Sequence, residues 1–97
     1  MSKLKNKDSW LWVVIQNPDR NTQYLGQRDE EKNISFIPAF LTKDIAQNCL
    51  MHLVKEKGQK YEAQAVLEDE LVKHVSDSDC VIYIMDEDGI VIRKIVP

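Results

Sequence analysis

The sequence predicts an α+β domain: a mostly antiparallel sheet in the order β-β-β-α-β-α-β-β, with two helices packed on one face. Three observations lead there. Runs rich in aromatic and β-branched residues stand at both ends of the chain, beginning with SWLWVVIQ at 9–16. Apolar residues recur at helical spacing only in the middle, over 42–58 and 67–75. A tight-hairpin signal, Asp88-Gly89, joins the last two strand-like runs.

Each element has its own warrant. Residues 1–8, with Lys3, Lys5 and Lys7, read as a flexible basic N-terminus, and 9–97 as a single domain. The first strand, 9–16, lacks clean alternation, which suits a strand covered on both faces. Asn17-Pro18-Asp19-Arg20-Asn21 has turn chemistry. A weaker second strand, 22–28, carries Tyr24 and Leu25, and Gly26 marks a bulge or a close backbone approach. A charged connection at 29–33 leads to a third strand, 34–40, whose Pro38 lacks a ladder donor and argues for an edge or a strand end.

Thr42 is an N-cap with Asp44 in the first turn. Ile45, Cys49, His52 and Leu53 follow at helical spacing, Lys55 and Lys57 occupy the last turn, and Gly58 is the stop. KYEAQAV at 60–66 alternates as a strand. Residues 67–75 form a short helix with Leu67, Leu71, Val72 and Val75 on one side, broken by Ser76-Asp77-Ser78-Asp79. The apolar run 80–85 is the best candidate for a central strand, and 90–96 returns from the hairpin.

Composition excludes several classes. Ninety-seven residues make one domain, and 43% hydrophobic with 30% charged residues is a globular balance, not a disordered one. A net charge of -3 argues against nucleic acid as a partner, because phosphate binding needs a basic footprint. The later third is acidic, with Glu68, Asp69, Glu70, Asp77, Asp79, Asp86, Glu87 and Asp88, which read as solvated faces, a helix first turn and a turn. The apolar run 10–15 is too short for a membrane span or a signal peptide, so no membrane is expected. Two cysteines without an export signal point to the cytoplasm.

No catalytic constellation stands out. Cys49 and His52 share a helical face, and with His74 and Cys80 they supply four conceivable zinc ligands, but their spacing matches no finger or ribbon. Cys49 lies mid-helix, without the dipole that activates a thiol. Three glycines make no phosphate cradle, and the acidic run 86–88 lacks calcium-loop spacing. No metal and no cofactor are expected. Trp10 and Trp12 share one face of the first strand by period two, and Tyr24 could join them. That face is core if it meets the helices and an interface if it lies open.

The strand carrying Phe36, Pro38 and Phe40, leading through Thr42 into a helix, resembles the SseB N-terminal-domain type of small α+β domain. The resemblance covers at most the middle third; the second helix and the acidic hairpin have no counterpart in it. It implies a non-enzymatic domain and carries over no functional residues. Together these readings give a small cytoplasmic, bacterial-type domain without catalysis, an interaction or regulatory module. Its expected partner is a protein, itself included, as a homodimer through a sheet edge or the Trp10, Trp12 and Tyr24 surface. The alternative is a small-molecule-binding domain, its pocket between sheet and first helix near Tyr61 and His52.

Overall fold

The computed structural model of the protein describes residues 9–17, 23–53, 55 and 57–96. The basic tail with Lys3, Lys5 and Lys7 and most of the first turn lie outside these. The elements are β1 (Trp10–Gln16), β2 (Gln23–Tyr24), β3 (Gln27–Asp29), β4 (Ile34–Phe40), α1 (Lys43–Cys49) continued by a 3-10 turn (Leu50–His52), β5 (Tyr61–Leu67), α2 (Glu68–Ser78), β6 (Val81–Met85) and β7 (Val91–Ile95). An α+β class with a mostly antiparallel sheet is thus observed, with one difference in element order. The expected second strand is two short strands interrupted at Leu25-Gly26.

The interruption has a geometric cause. β5 pairs antiparallel with β1 along its whole length, from Trp10 opposite Leu67 to Gln16 opposite Tyr61. On its other side β1 meets β4 only at Trp12 and Val13, and β2 at Ile15 and Gln16. β4 in turn meets β3 at Ile34–Phe36 before reaching β1 at Ala39 and Phe40. The β2–β3 segment is therefore wedged into a fork between β1 and β4. Leu25 spans the crossing, donating its N–H to Val14 O at 2.8 Å. β6 pairs parallel with β4, and β7 antiparallel with β6.

Pro38 is buried in a central strand, not at an edge. It sits where β4 changes partner from β3 to β1, a position where a missing N–H is least disruptive.

The two helices cover opposite faces of the sheet, which corrects the expectation of one face. Leu11, Val13 and Ile15 of β1 pack with Ile37, Ala39, Ile82 and Ile84 beneath Leu71 and Val75 of α2. Val14 packs with Phe36, Phe40, Tyr83 and Met85 beneath Ala46, Cys49 and Leu53 on the α1 side, with half-buried Trp12 alongside. Successive strand residues feed alternate layers, so β1 is apolar from Trp10 to Ile15 and β6 along its whole length. Each fully buried Leu or Val contributes about 1.5–3 kcal/mol of transfer free energy.

Helix boundaries also shift. Thr42 caps α1 as expected, its Oγ1 accepting from the Ile45 N–H at 3.2 Å. The α-helix stops at Cys49, however, and Leu53 is already extended. Lys55 lies beyond the helix and reaches back to donate from Nζ to Leu50 O at 2.5 Å and Leu53 O at 3.2 Å, satisfying the terminal carbonyls. Gly58, at φ 81°, serves a turn before β5 instead of stopping a helix. α2 starts one residue late, because Leu67 ends β5, and runs through Ser76 and Ser78. It ends where Asp79 adopts φ 57° and the Val75 carbonyl accepts from the N–H groups of Asp79 and Cys80.

Candidate functional site at the β5 edge

The outward side of β5 has a legible polarity. Asn17 N–H donates to Lys60 O at 2.8 Å at one end of the β1–β5 ladder, and Glu68 N–H donates to Ser9 O at 2.9 Å at the other. In an antiparallel pair, alternate residues turn their backbone groups to the same neighbour. The even-numbered residues of β5 therefore bond β1, and Ala63 and Ala65 turn their N–H and C=O groups away from it, whereas Leu67, the N-cap of α2, gives its C=O to the first turn of that helix. No strand pairs with the outward groups of Ala63 and Ala65 among the described residues.

Beside this edge, on the α1 face, lies an open groove of about 700 Å³. Trp12, Val14 and Ala63 line it from the sheet, and Lys43, Gln47 and Leu50 from α1. It exists because α1 is only seven residues long and because β5 presents small Ala63 and Ala65 on that side. Lys43 Nζ lies 6.0 Å from the Trp12 ring centroid, within cation–π range.

The aromatic residues singled out in the sequence separate. Trp10 and Trp12 share the α1 side of β1; Trp10 is 56% exposed, whereas Trp12 is half-buried against the core. Tyr24 packs with the opposite layer and makes an edge contact to His74, ring centroids 4.7 Å apart. Burial, with Glu70 nearby, raises its phenol pKa. Tyr24 and Tyr61 do line one cleft, about 760 Å³, at the forked end of the sheet with Phe36 and Lys55. His52 is not among its lining residues. It is exposed on the 3-10 turn, beside the β6–β7 hairpin.

Cys49 is fully buried, and burial followed by the carboxylates of Asp86 and Asp88 raises its thiol pKa, the reverse of an activated nucleophile. Asp86 itself builds the hairpin: its Oδ1 accepts from the N–H groups of Asp88 and Ile90, both at 2.9 Å. Among the described residues no group of three or more His, Cys, Asp or Glu side chains could hold a metal ion. No described helix is long and apolar enough to cross a membrane. The Tyr83 hydroxyl, on a residue 2% exposed, donates to Asp29 Oδ2 at 2.8 Å, and its ring stacks on Phe36. That contact ties β6 to β3 across the α1-side layer.

Sequence reasoning missed the edge residues Ala63 and Ala65 and the groove residue Lys43. The only signal for the first two was a pair of alanines on one face of an otherwise ordinary strand pattern. No protein-family model, no curated protein and no solved structure matches the chain.

Proposed function

We propose that this is a small cytoplasmic protein-interaction module without catalysis of its own, docking an extended segment of a protein partner along β5. The observation that carries the reading is the set of outward backbone groups at Ala63 and Ala65, set beside a groove for alternate side chains. Strand addition uses those two features together: main-chain bonds give affinity and the groove gives selectivity. The Phe36–Thr42 junction, which resembles a non-enzymatic domain type, agrees with it.

The test is a random peptide display selection against the wild-type protein, with Ala65→Pro as comparison. Proline removes an outward N–H and leaves the β1 ladder bonds, which belong to even positions. Selected peptides should bind Ala65→Pro at least about tenfold more weakly. Peptides indifferent to the change, or no binders to a protein that is monomeric, would refute strand docking.

A second reading has one supporting observation, the cleft that Tyr24 and Tyr61 share with Lys55. A small anionic aromatic compound seated there would raise the melting temperature by mass action. A metabolite screen without any shift would remove it.

A further inference from the structure

We infer that the segment docked on β5 is β5 of a second copy, paired antiparallel about a twofold axis at Gln64. This rests on the strand-docking reading above and specifies its partner.

The two sheet edges differ in the devices that prevent edge pairing. β7 has five residues, a register shift between Ile84 and Met85 that leaves Ile92 outside the ladder, and exposed Arg93 and Lys94 next to it. Bulges and basic side chains are how edge strands repel a second strand. β5 has seven residues in unbroken register with β1, no proline or glycine, and Glu62 as its one charge.

A twofold axis that keeps each face continuous must pair residues of like parity. Three registers then bring the alanines together, centred on Ala63, Gln64 or Ala65. Centring on Ala65 sets Glu62 opposite Glu68 of the other copy, and like charges directly opposed are destabilising. Centring on Ala63 makes the two Glu62 side chains diagonal neighbours. Centring on Gln64 sets Ala63 opposite Ala65, moves the two Glu62 apart, and brings Lys60 of each copy opposite Glu68 of the other. As in every like-parity register, outward groups meet only outward groups, and here Ala63 and Ala65 exchange both backbone bonds across the axis.

The α1 faces become complementary in the same register. Trp12 stands opposite Ala65, and Ala63 opposite Val14. Across the axis each row reads Trp12, Ala65, Ala63, Val14, with the last two from the other copy. The small alanines let both grooves merge into one trough, with a Trp12 ring on either side. The exposed Trp10 stands opposite Leu67, whose new neighbour is Tyr61 of the other copy.

The experiment combines native mass with register-specific cross-linking. Gln64 residues at the axis form a non-hydrogen-bonded pair, Cα atoms about 4.5 Å apart, within disulfide range. In a Cys80→Ser background, Gln64→Cys should oxidise to a covalent dimer at least about tenfold faster than Ala63→Cys or Ala65→Cys alone. The wild type should be dimeric by native mass spectrometry, and Ala65→Pro monomeric with its circular dichroism unchanged. A monomeric wild type, or a dimer in which Gln64→Cys is not the preferred cross-link, would overturn the inference. The cross-linking order decides the matter even if Ala65→Pro fails to fold. A monomer whose selected peptides still depend on Ala65 would overturn self-pairing alone; peptides indifferent to Ala65→Pro would overturn strand docking itself.

Discussion

Placing α1 and α2 on opposite faces makes a quantitative demand on stability. Val75 of α2 and Cys49 of α1 are both fully buried, in different layers separated by the sheet. Val75→Ala removes two methyl groups from the α2 layer. At about 0.8 kcal/mol per buried group plus a cavity term, the cost is about 1.5–3 kcal/mol. Cys49→Ala removes one sulfur and should cost about 1 kcal/mol. The sum stays below the stability of roughly 5–15 kcal/mol usual for native domains. The two residues share no packing cluster, so their effects should add to within about 0.5 kcal/mol. Urea unfolding of the wild type, both single variants and the double variant measures the coupling directly. Val75→Ala with Leu71→Ala serves as the positive control, because those two line the same layer and should couple. A coupling well above 0.5 kcal/mol between Val75 and Cys49, comparable to the control, would refute the three-layer arrangement.

Three further outcomes follow from local geometry. Tyr83→Phe keeps the Phe36 stack but removes the hydroxyl that, ahead of the Lys32 contacts, lowers the Asp29 pKa, while burial followed by Asp29 raises that of Tyr83. A lowered carboxylate stabilises above its ordinary range and is lost on acidification. A raised phenol stabilises below about pH 10 and is lost above. The stability gap between wild type and Tyr83→Phe should therefore be widest near neutrality and close in acid; a gap constant from neutral to strongly acidic solution contradicts the hydrogen bond. Gly89 and Gly58 both have φ 81°, and a Cβ at Gly89 would touch Cys49 Sγ and His52 Cβ at an ordinary 3.9 Å. Alanine at either site should then cost a similar amount, about 1 kcal/mol of backbone strain, in thermal unfolding; a much larger loss at Gly89 would mean the hairpin is packed more tightly than described. Cys80 is half-buried and Cys49 fully buried with a raised thiol pKa. Iodoacetamide should modify Cys80 first in the native protein, and equal rates would show that the α1 layer opens readily.

Local structure was legible where one residue's chemistry decides it. Thr42 reads as a helix cap because a hydroxyl there can accept a backbone N–H, and it does so from Ile45. Asp88-Gly89 reads as a turn because only Gly89 tolerates its φ without strain. The unalternating WLWVVIQ run already implied a strand covered on both faces, and VIYIM a central strand, yet a strand pattern does not say which helix covers which face. The end of α1 was not legible, because Ile45, Cys49, His52 and Leu53 keep helical spacing past the point where the backbone leaves the helix. The carbonyl caps from Lys55 that accompany that exit are contacts from outside the element.

The edge at β5 belongs wholly to the tertiary structure. KYEAQAV identifies a strand, and its alternation identifies two faces. Whether Ala63 and Ala65 bond a neighbour or face outward depends on where β1 lies, and on which side the β2–β3 wedge forces β4 to approach. Those are consequences of a fork built by residues about forty positions earlier in the chain. Side-chain pattern specifies which face of a strand is buried. Strand order specifies which backbone groups are left over, and it is set only when the whole sheet has closed.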